Sequence, residues 1–354
     1  MAAYTTIDNP ELYFQTKLYT GQASSQGDGT TTAITFDGDE DMAPDLIWIK
    51  NRDGTDWHDV TDSVRGVTKS IFPNVTDAEE TAATSVTAIG SDGFTVGSSD
   101  QVNDASDKYV AWCWKANGSG SSNTDGTINT IKTSANTTSG FSINTFTGTG
   151  ANATVGHGLG AAPTHLLLKK TSQGANWGHG SVHIDNWTDY VVFGTGAKED
   201  DATFWQDTAP TSTVFSIGSS GNINTDGEDH VAYCFTPIQG FSKFGSYTGN
   251  GNADGTFVYT GFRPAWIMVK RTDSAGNNWT IWDNKRAGFN ETNYRIWTNL
   301  SDAENTANKI NFLSNGFKST ATATDNNASG GTYVYMAFAE APFVNSKGVP
   351  ANAR

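Results

Sequence analysis

Helix signals are scarce in this chain. No stretch holds apolar residues at a 3.6-residue spacing for three turns, and runs rich in Ala, Leu and Glu are missing, which argues against a helical fold. Basic residues are few: 22 Lys and Arg against 37 Asp and Glu leave a net charge of −15. That balance argues against nucleic acid as a partner, because phosphate binding needs a basic face. It argues equally against an anionic membrane surface. No run of eighteen apolar residues occurs, so no membrane span is expected. The segment from Met1 to Asp8 has neither a basic n-region nor an apolar h-region, so no signal peptide is expected. Coiled-coil heptads are absent too.

Cysteine is nearly absent, with only Cys113 and Cys234. No zinc-type spacing exists. Both cysteines lie inside apolar segments at matching places in different repeats, which reads as reduced, buried packing groups.

Signatures of catalysis are also thin. No Gly-x-Ser-x-Gly elbow sits in a strand-turn-helix setting, and no phosphate-binding glycine loop appears. A retaining glycosidase needs two carboxyls on facing strands about 5 Å apart. The Glu-x-Asp-x-x-Glu strand of sandwich glucanases is missing, and most glutamates fall in polar loop segments.

What the chain does have is glycine, 38 residues in 354, with only 9 prolines and 12% aromatics. The aromatic content sets it apart from a disordered polar chain. Many short strands bounded by Gly and Asn turns are the economical reading, an all-β protein.

Three landmarks recur three times in one order. An aromatic-Thr-Gly comes first: Tyr19-Thr20-Gly21, Phe146-Thr147-Gly148 and Tyr247-Thr248-Gly249. Next, a proline precedes an apolar run that ends six residues later in lysine: Pro44 to Lys50, Pro163 to Lys169, Pro264 to Lys270. Last, an asparagine precedes by six residues the Tyr or His that opens an apolar strand: Asn103 to Tyr109, Asn224 to His230, Asn327 to Tyr333. Such periodicity marks tandem modules. The run after each proline is apolar on both faces, as in a central strand covered on both sides.

The phasing gives a leader at 1–12, a module at 13–117, and a Gly/Ser/Asn/Thr-rich linker at 118–139. Modules at 140–239 and 240–342 follow, then a polar tail at 343–354. The second and third modules have no linker between them and are expected to pack together. Each module reads as a β-sandwich or jelly roll.

Asp45-Leu46-Ile47-Trp48-Ile49-Lys50-Asn51-Arg52, Asp62-Ser63-Val64-Arg65-Gly66, Ser91-Asp92-Gly93-Phe94-Thr95-Val96-Gly97 and Tyr109-Val110-Ala111-Trp112-Cys113-Trp114-Lys115 together resemble virion proteins of marine tailed phages. The closing Gly348-Val349-Pro350-Ala351-Asn352-Ala353-Arg354 is similar as well. Module two departs most, with Phe215 lacking the Ser-Asp-Gly lead and His230 in place of tyrosine. The resemblance implies tail-fibre-like or lectin-like structural proteins with concanavalin-like sandwich modules on the particle surface. Their partners would be other virion proteins and a host-surface glycan, and by analogy with phage appendages the protein would be a homotrimer. A capsid decoration protein and a glycan hydrolase are the alternatives. The resemblance brings no catalytic residues.

Two residue sets stand out as candidate sites. Trp57, Trp177, Trp187, Trp279 and Trp282 lie among Gly, Asn and Asp. Exposed indoles beside such groups stack on sugars; the competing reading is that they close domain edges or interfaces. Asp37, Asp39, Glu40 and Asp41 concentrate carboxylates in one loop, a candidate Ca²⁺ ligand set, although the spacing is not that of an EF-hand. A solvated acidic turn is the competing reading. His157, His165, His179 and His183 read as loop histidines open to solvent, since a zinc site needs further ligands. Trp48, Trp112 and Trp114 read as core.

Overall fold

The computed structural model describes residues 3–288, 290–307 and 309–351. The leader residues 1–2 and tail residues 352–354 lie outside this range. The protein is an all-β sandwich fold, with three large antiparallel sheets and three small ones among the described residues.

Each sequence repeat contributes one large sheet, in the same spatial order. An opening strand (Phe14–Thr20, Phe141–Thr147, Ser242–Thr248) pairs with a closing strand (Lys108–Trp114, Asp229–Phe235, Thr332–Pro342). The closing strand pairs with the proline strand (Leu46–Asn51, His165–Lys170, Phe262–Arg271). A return strand follows (Asp59–Asp62, Gly178–Ser181, Thr280–Asp283), then shorter outer strands.

The landmarks meet in this arrangement. The aromatic of the first stacks across strands on the aromatic of the third, Tyr19 on Tyr109, Phe146 on His230 and Tyr247 on Tyr333, with centroids 5.1, 5.2 and 4.9 Å apart. Each landmark asparagine ties two loops together. Asn224 Oδ1 accepts from the Thr149 amide at 2.8 Å, while Nδ2 donates to Ala151 and Gly218 carbonyls. Asn103 and Asn327 make the corresponding bonds. The landmark glycine is required by contact, since a Cβ on Gly148 would lie 2.3 Å from the Thr225 carbonyl oxygen. The repeated polar residues therefore hold loops and satisfy buried backbone groups.

Strand alternation sends successive residues to opposite faces, and both faces of the closing strands are buried. Tyr109, Ala111 and Cys113 enter the first repeat's own sandwich core. Val110, Trp112 and Trp114 enter a second core that also holds Val231, Tyr233, Phe235, Val334, Met336 and Phe338 from the other repeats. The three large sheets thus back onto one common core, while each keeps a private core beneath its small sheet. Cys113 and Cys234 are free, fully buried and in different private cores.

The three repeats close into a ring. At equivalent positions, Trp177 Nε1 donates to the Phe72 carbonyl (3.0 Å), Trp279 Nε1 to Val192 (2.8 Å), and His58 Nε2 to Trp297 (3.0 Å). Trp48 Nε1 donates to His58 Nδ1 at 2.9 Å, which leaves the hydrogen on Nε2. Beside each bond runs a backbone bond: Glu79 to Thr171, Lys198 to Thr272, Glu304 to Arg52, at 2.8, 2.9 and 2.8 Å. Each repeat therefore touches both others through the same pair of hydrogen bonds.

Two expectations change here. Residues 118–139 are not a loose linker. Lys132–Asn136 is a strand of the second large sheet, Ile128 is buried and bridges to Val155, and the Asn117 amide is held by Ser134 Oγ. Small polar side chains there are spent on local bonds that fix the backbone. The leader likewise belongs to the ring: Ile7 enters the common core, Tyr4 Oη donates to Gly261, and Asp8 accepts from Ser346 of the tail.

Candidate functional site

The nominated tryptophans are placed inside the protein. Trp177 and Trp279 are the indole donors of two seams. Trp187 packs edge-on against Trp205 in the second private core, with centroids 5.8 Å apart. Trp282 is fully buried in the third private core. Trp57 is half-buried against Phe72. A ring enclosed on both faces offers no platform to a sugar, so the four buried indoles are packing and seam groups. Asn176 and Asn278 beside two of them lie in irregular segments just before short strands.

The acidic loop does not converge. Asp37 pairs with Lys17 at 3.4 Å and with Lys285 at 3.6 Å. The Asp39 amide donates to Glu11, and the Glu40 carbonyl accepts from Gln15 Nε2. Asp39, Glu40 and Asp41 point to solvent. Among the described residues no three His, Cys, Asp or Glu side chains lie close enough to share an ion. The Ca²⁺ reading of Asp37, Asp39, Glu40 and Asp41 finds no coordination geometry to rest on.

The histidines correct a sequence expectation. His58, His157, His165, His179 and His230 are all buried, and His183 alone is exposed. Gly178 and Gly180 are strand residues, present because rings fill the space a side chain would take. A Cβ on Gly180 would lie 2.5 Å from Trp187, and one on Gly178 would lie 2.8 Å from Phe204. The intervening His179 consequently faces the common core, 5.0 Å from His165 and 5.0 Å from Trp279. Burial pushes the pKa of His58 and His179 down to about 3 and that of His230 to about 4.

Where sheets meet around the common core, two corners carry buried charge. At the first, Asp62 Oδ2 accepts from Arg65 at 2.6 Å and from the Tyr233 hydroxyl of the second repeat at 2.7 Å, and Arg65 also reaches Glu79 at 3.0 Å. At the second, Asp283 Oδ2 accepts from Arg286 at 2.6 Å and from Trp112 Nε1 of the first repeat at 3.0 Å. Glu304 there bridges Arg286 and Arg52, at 3.0 and 2.9 Å. The third corner has no such pair. Ser181 stands at the register position of Asp62 and Asp283, and Met336 at that of Trp112 and Tyr233. Ser181 bonds His165 Nδ1 at 3.1 Å instead.

Each landmark lysine caps one end of its strand. Lys169 donates to Thr76 and Ala175 carbonyls, Lys270 to Gly194 and Asn277, Lys50 to Asn51 and Gly54. Thr76 and Gly194 belong to the preceding repeat, so these ammonium groups span seams. Desolvation lowers all three to a pKa of about 8. Charged groups grouped this way can orient sheets and hold a closed ring. Their carboxylates are engaged by cations and buried, which leaves little freedom for proton transfer.

These corners were missed by sequence reasoning because their partners are 171 residues apart. The recurrence of Asp-x-x-Arg at 62–65 and 283–286 was the one available signal.

A family model described as "Domain of unknown function (DUF7483)" matches residues 9–342, and the chain belongs to that family. No curated protein and no solved structure matches it.

Proposed function

We propose that this member of the DUF7483 family is a non-enzymatic structural protein displayed on the surface of a tailed-phage particle, where it acts as a compact adhesive knob on the tail. The observation that carries the reading is the closed three-repeat ring with one common core. Closed arrangements of like units are commonly built from separate chains, and here one chain supplies all three sheets. The ring closes within one chain, and the homotrimer expected from the appendage analogy would join three such rings. Engagement of the buried carboxylates in structural ion pairs supports a binding role over a hydrolytic one. Resemblance of the Asp45–Arg52 and Tyr109–Lys115 segments to virion proteins supports the particle setting.

A second reading, a capsid decoration protein, is favoured by the same pseudo-threefold shape, which matches a threefold position on a shell. Immuno-gold labelling of intact particles separates the two. Label at the tail is the expected result. Label over the head would select decoration, and unlabelled particles would overturn the virion reading.

A further inference from the structure

The repeated landmarks build the ring, so a binding site is best sought where one repeat differs from the other two. The small sheets allow that comparison. Their registers place Ile34, Val155 and Val258 at one position, opposite Phe94, Phe215 and Phe317. The residues flanking that position are Ala33 and Thr35 in the first repeat, Thr154 and the buried Gly156 in the second, and Phe257 and Tyr259 in the third. Only the third repeat puts rings there. Phe257 and Tyr259 are 45% and 48% exposed, the largest aromatic exposures among the described residues. Being two apart on one strand, they face the same side. The Phe257 ring lies against Gly316, where a Cβ would sit 2.9 Å from it, and 45% of the residue stays exposed.

Beside Tyr259 lies a cavity of about 380 Å³ lined by Tyr4, Gln239, Lys243, Tyr259 and Thr260. Lys243 Nζ lies 5.0 Å from the Tyr259 ring centre. No carboxylate pairs with Lys243 among the described residues; the matching opening-strand positions are Gln15 and Ser142, neither of them charged. Tyr4 Oη donates to the Gly261 carbonyl at 2.8 Å and lies 3.4 Å from Tyr259 Oη. Gly261 has a φ of +85°, and a Cβ there would lie 2.8 Å from Tyr4 Oη, so this glycine admits the leader's ring. Gln239 is exposed at the rim, with its side chain against the Tyr4 hydroxyl.

We infer that this corner is a binding site for an acidic oligosaccharide. The apolar C–H face of a pyranose suits the exposed ring of Phe257. Hydroxyls of the sugar suit the phenols and the Gln239 amide, and a uronate carboxylate suits the unpaired Lys243 ammonium, a charge-assisted bond. A small number of polar groups around an apolar platform is the usual composition of a ligand cleft. The inference deepens the particle-surface reading and rests on it for the source of the sugar, a host surface.

The test is isothermal titration calorimetry of the full chain at low salt, using hexamers of galacturonate, mannuronate and guluronate with maltohexaose as the neutral probe. At least one uronate hexamer should bind about tenfold more tightly than maltohexaose. Lys243→Gln should erase that preference, and Phe257→Ser or Tyr259→Ala should each weaken binding about tenfold. All three variants should keep the thermal midpoint, since Phe257 and Tyr259 are exposed and Lys243 is half-buried with no carboxylate partner among the described residues. Equal binding of acidic and neutral probes, no binding of any probe at about 5 mM, or unaltered affinity in Tyr259→Ala would overturn the site. Gold-labelled particles whose protein binds no uronate would sink this site alone and leave the surface reading standing.

Discussion

His58 donates its Nε2 hydrogen to the carbonyl of Trp297, 239 residues further along the chain, at 3.0 Å. Trp177 and Trp279 make the equivalent bond at the other two seams, so an imidazole and two indoles do one job. The first and last repeats are thereby neighbours. In an open solenoid each unit touches only the next one.

Removing a seam donor strands a buried carbonyl. Trp177→Phe leaves the Phe72 oxygen without its 3.0 Å partner. Trp279→Phe does the same at Val192. Each should cost about 1–3 kcal/mol of unfolding free energy, read from urea denaturation. A change below about 0.5 kcal/mol would mean the seam bond is unimportant to the ring.

The charged corners should be less tolerant than the neutral one. Asp283→Asn leaves the buried Arg286 facing a neutral amide at its 2.6 Å contact, with Glu304 as its remaining carboxylate. The expected loss is about 2–3 kcal/mol, with a similar loss for Asp62→Asn, where Arg65 keeps Glu79. Met336→Leu at the third corner should cost under about 1.5 kcal/mol. Denaturation midpoints of the three variants compare the corners directly.

Acid should weaken the fold through its histidines. His58 and His179 titrate near 3 and His230 near 4 when folded, because burial penalises the imidazolium. Unfolded, they titrate near 6.5. Between these values the unfolded chain holds more protons, so stability is full above about pH 6.5 and falls as pH drops towards 3. The slope should approach about 1.4 kcal/mol per pH unit for each histidine. His179→Phe should flatten it, and a pH series of urea midpoints reads the effect.

Alkali should act the other way at first. Lys50, Lys169 and Lys270 titrate near 8 when folded, against 10.5 in an unperturbed chain. From pH 8 upward the folded protein sheds these protons first, so this contribution raises stability with pH. Above pH 10 the buried Tyr19, Tyr233 and Tyr247 oppose it, since burial holds their folded pKa values well above 10. A stability maximum on the alkaline side of pH 8 is expected, and Lys169→Met should reduce the rise leading to it.

Much of the scaffold was legible because it repeats. The all-β class followed from turn residues and short apolar runs, and the proline strands were read as covered on both faces, as Leu46–Asn51 is. The stacking of Tyr19 on Tyr109 lies behind the first and third landmarks, though only the pattern, not the contact, is visible in sequence. What could not be read is which face of a two-sided strand meets a distant repeat. Trp112 and Cys113 are equally apolar, yet one enters the common core and the other a private one. Polarity misled at three places. The 118–139 segment looked like linker because Ser, Thr and Asn bond the backbone as readily in ordered straps as in loops. His179 looked exposed because its glycine neighbours make room for Trp187 and Phe204. The indole of Trp279 looked available among Asn277 and Asn278, while its nitrogen is used by Val192. Phe257 and Tyr259 drew no notice, because a strand of three consecutive apolar residues does not disclose which side lacks a cover.

Differential scanning calorimetry of the full chain tests the shared ring most directly. Three sheets on one core should unfold in a single transition whose calorimetric and van't Hoff enthalpies agree. Trp177→Phe and Trp279→Phe should lower the midpoint of that whole transition. Two or three separable transitions, with each substitution moving only one of them, would contradict the account and restore a chain of independent modules.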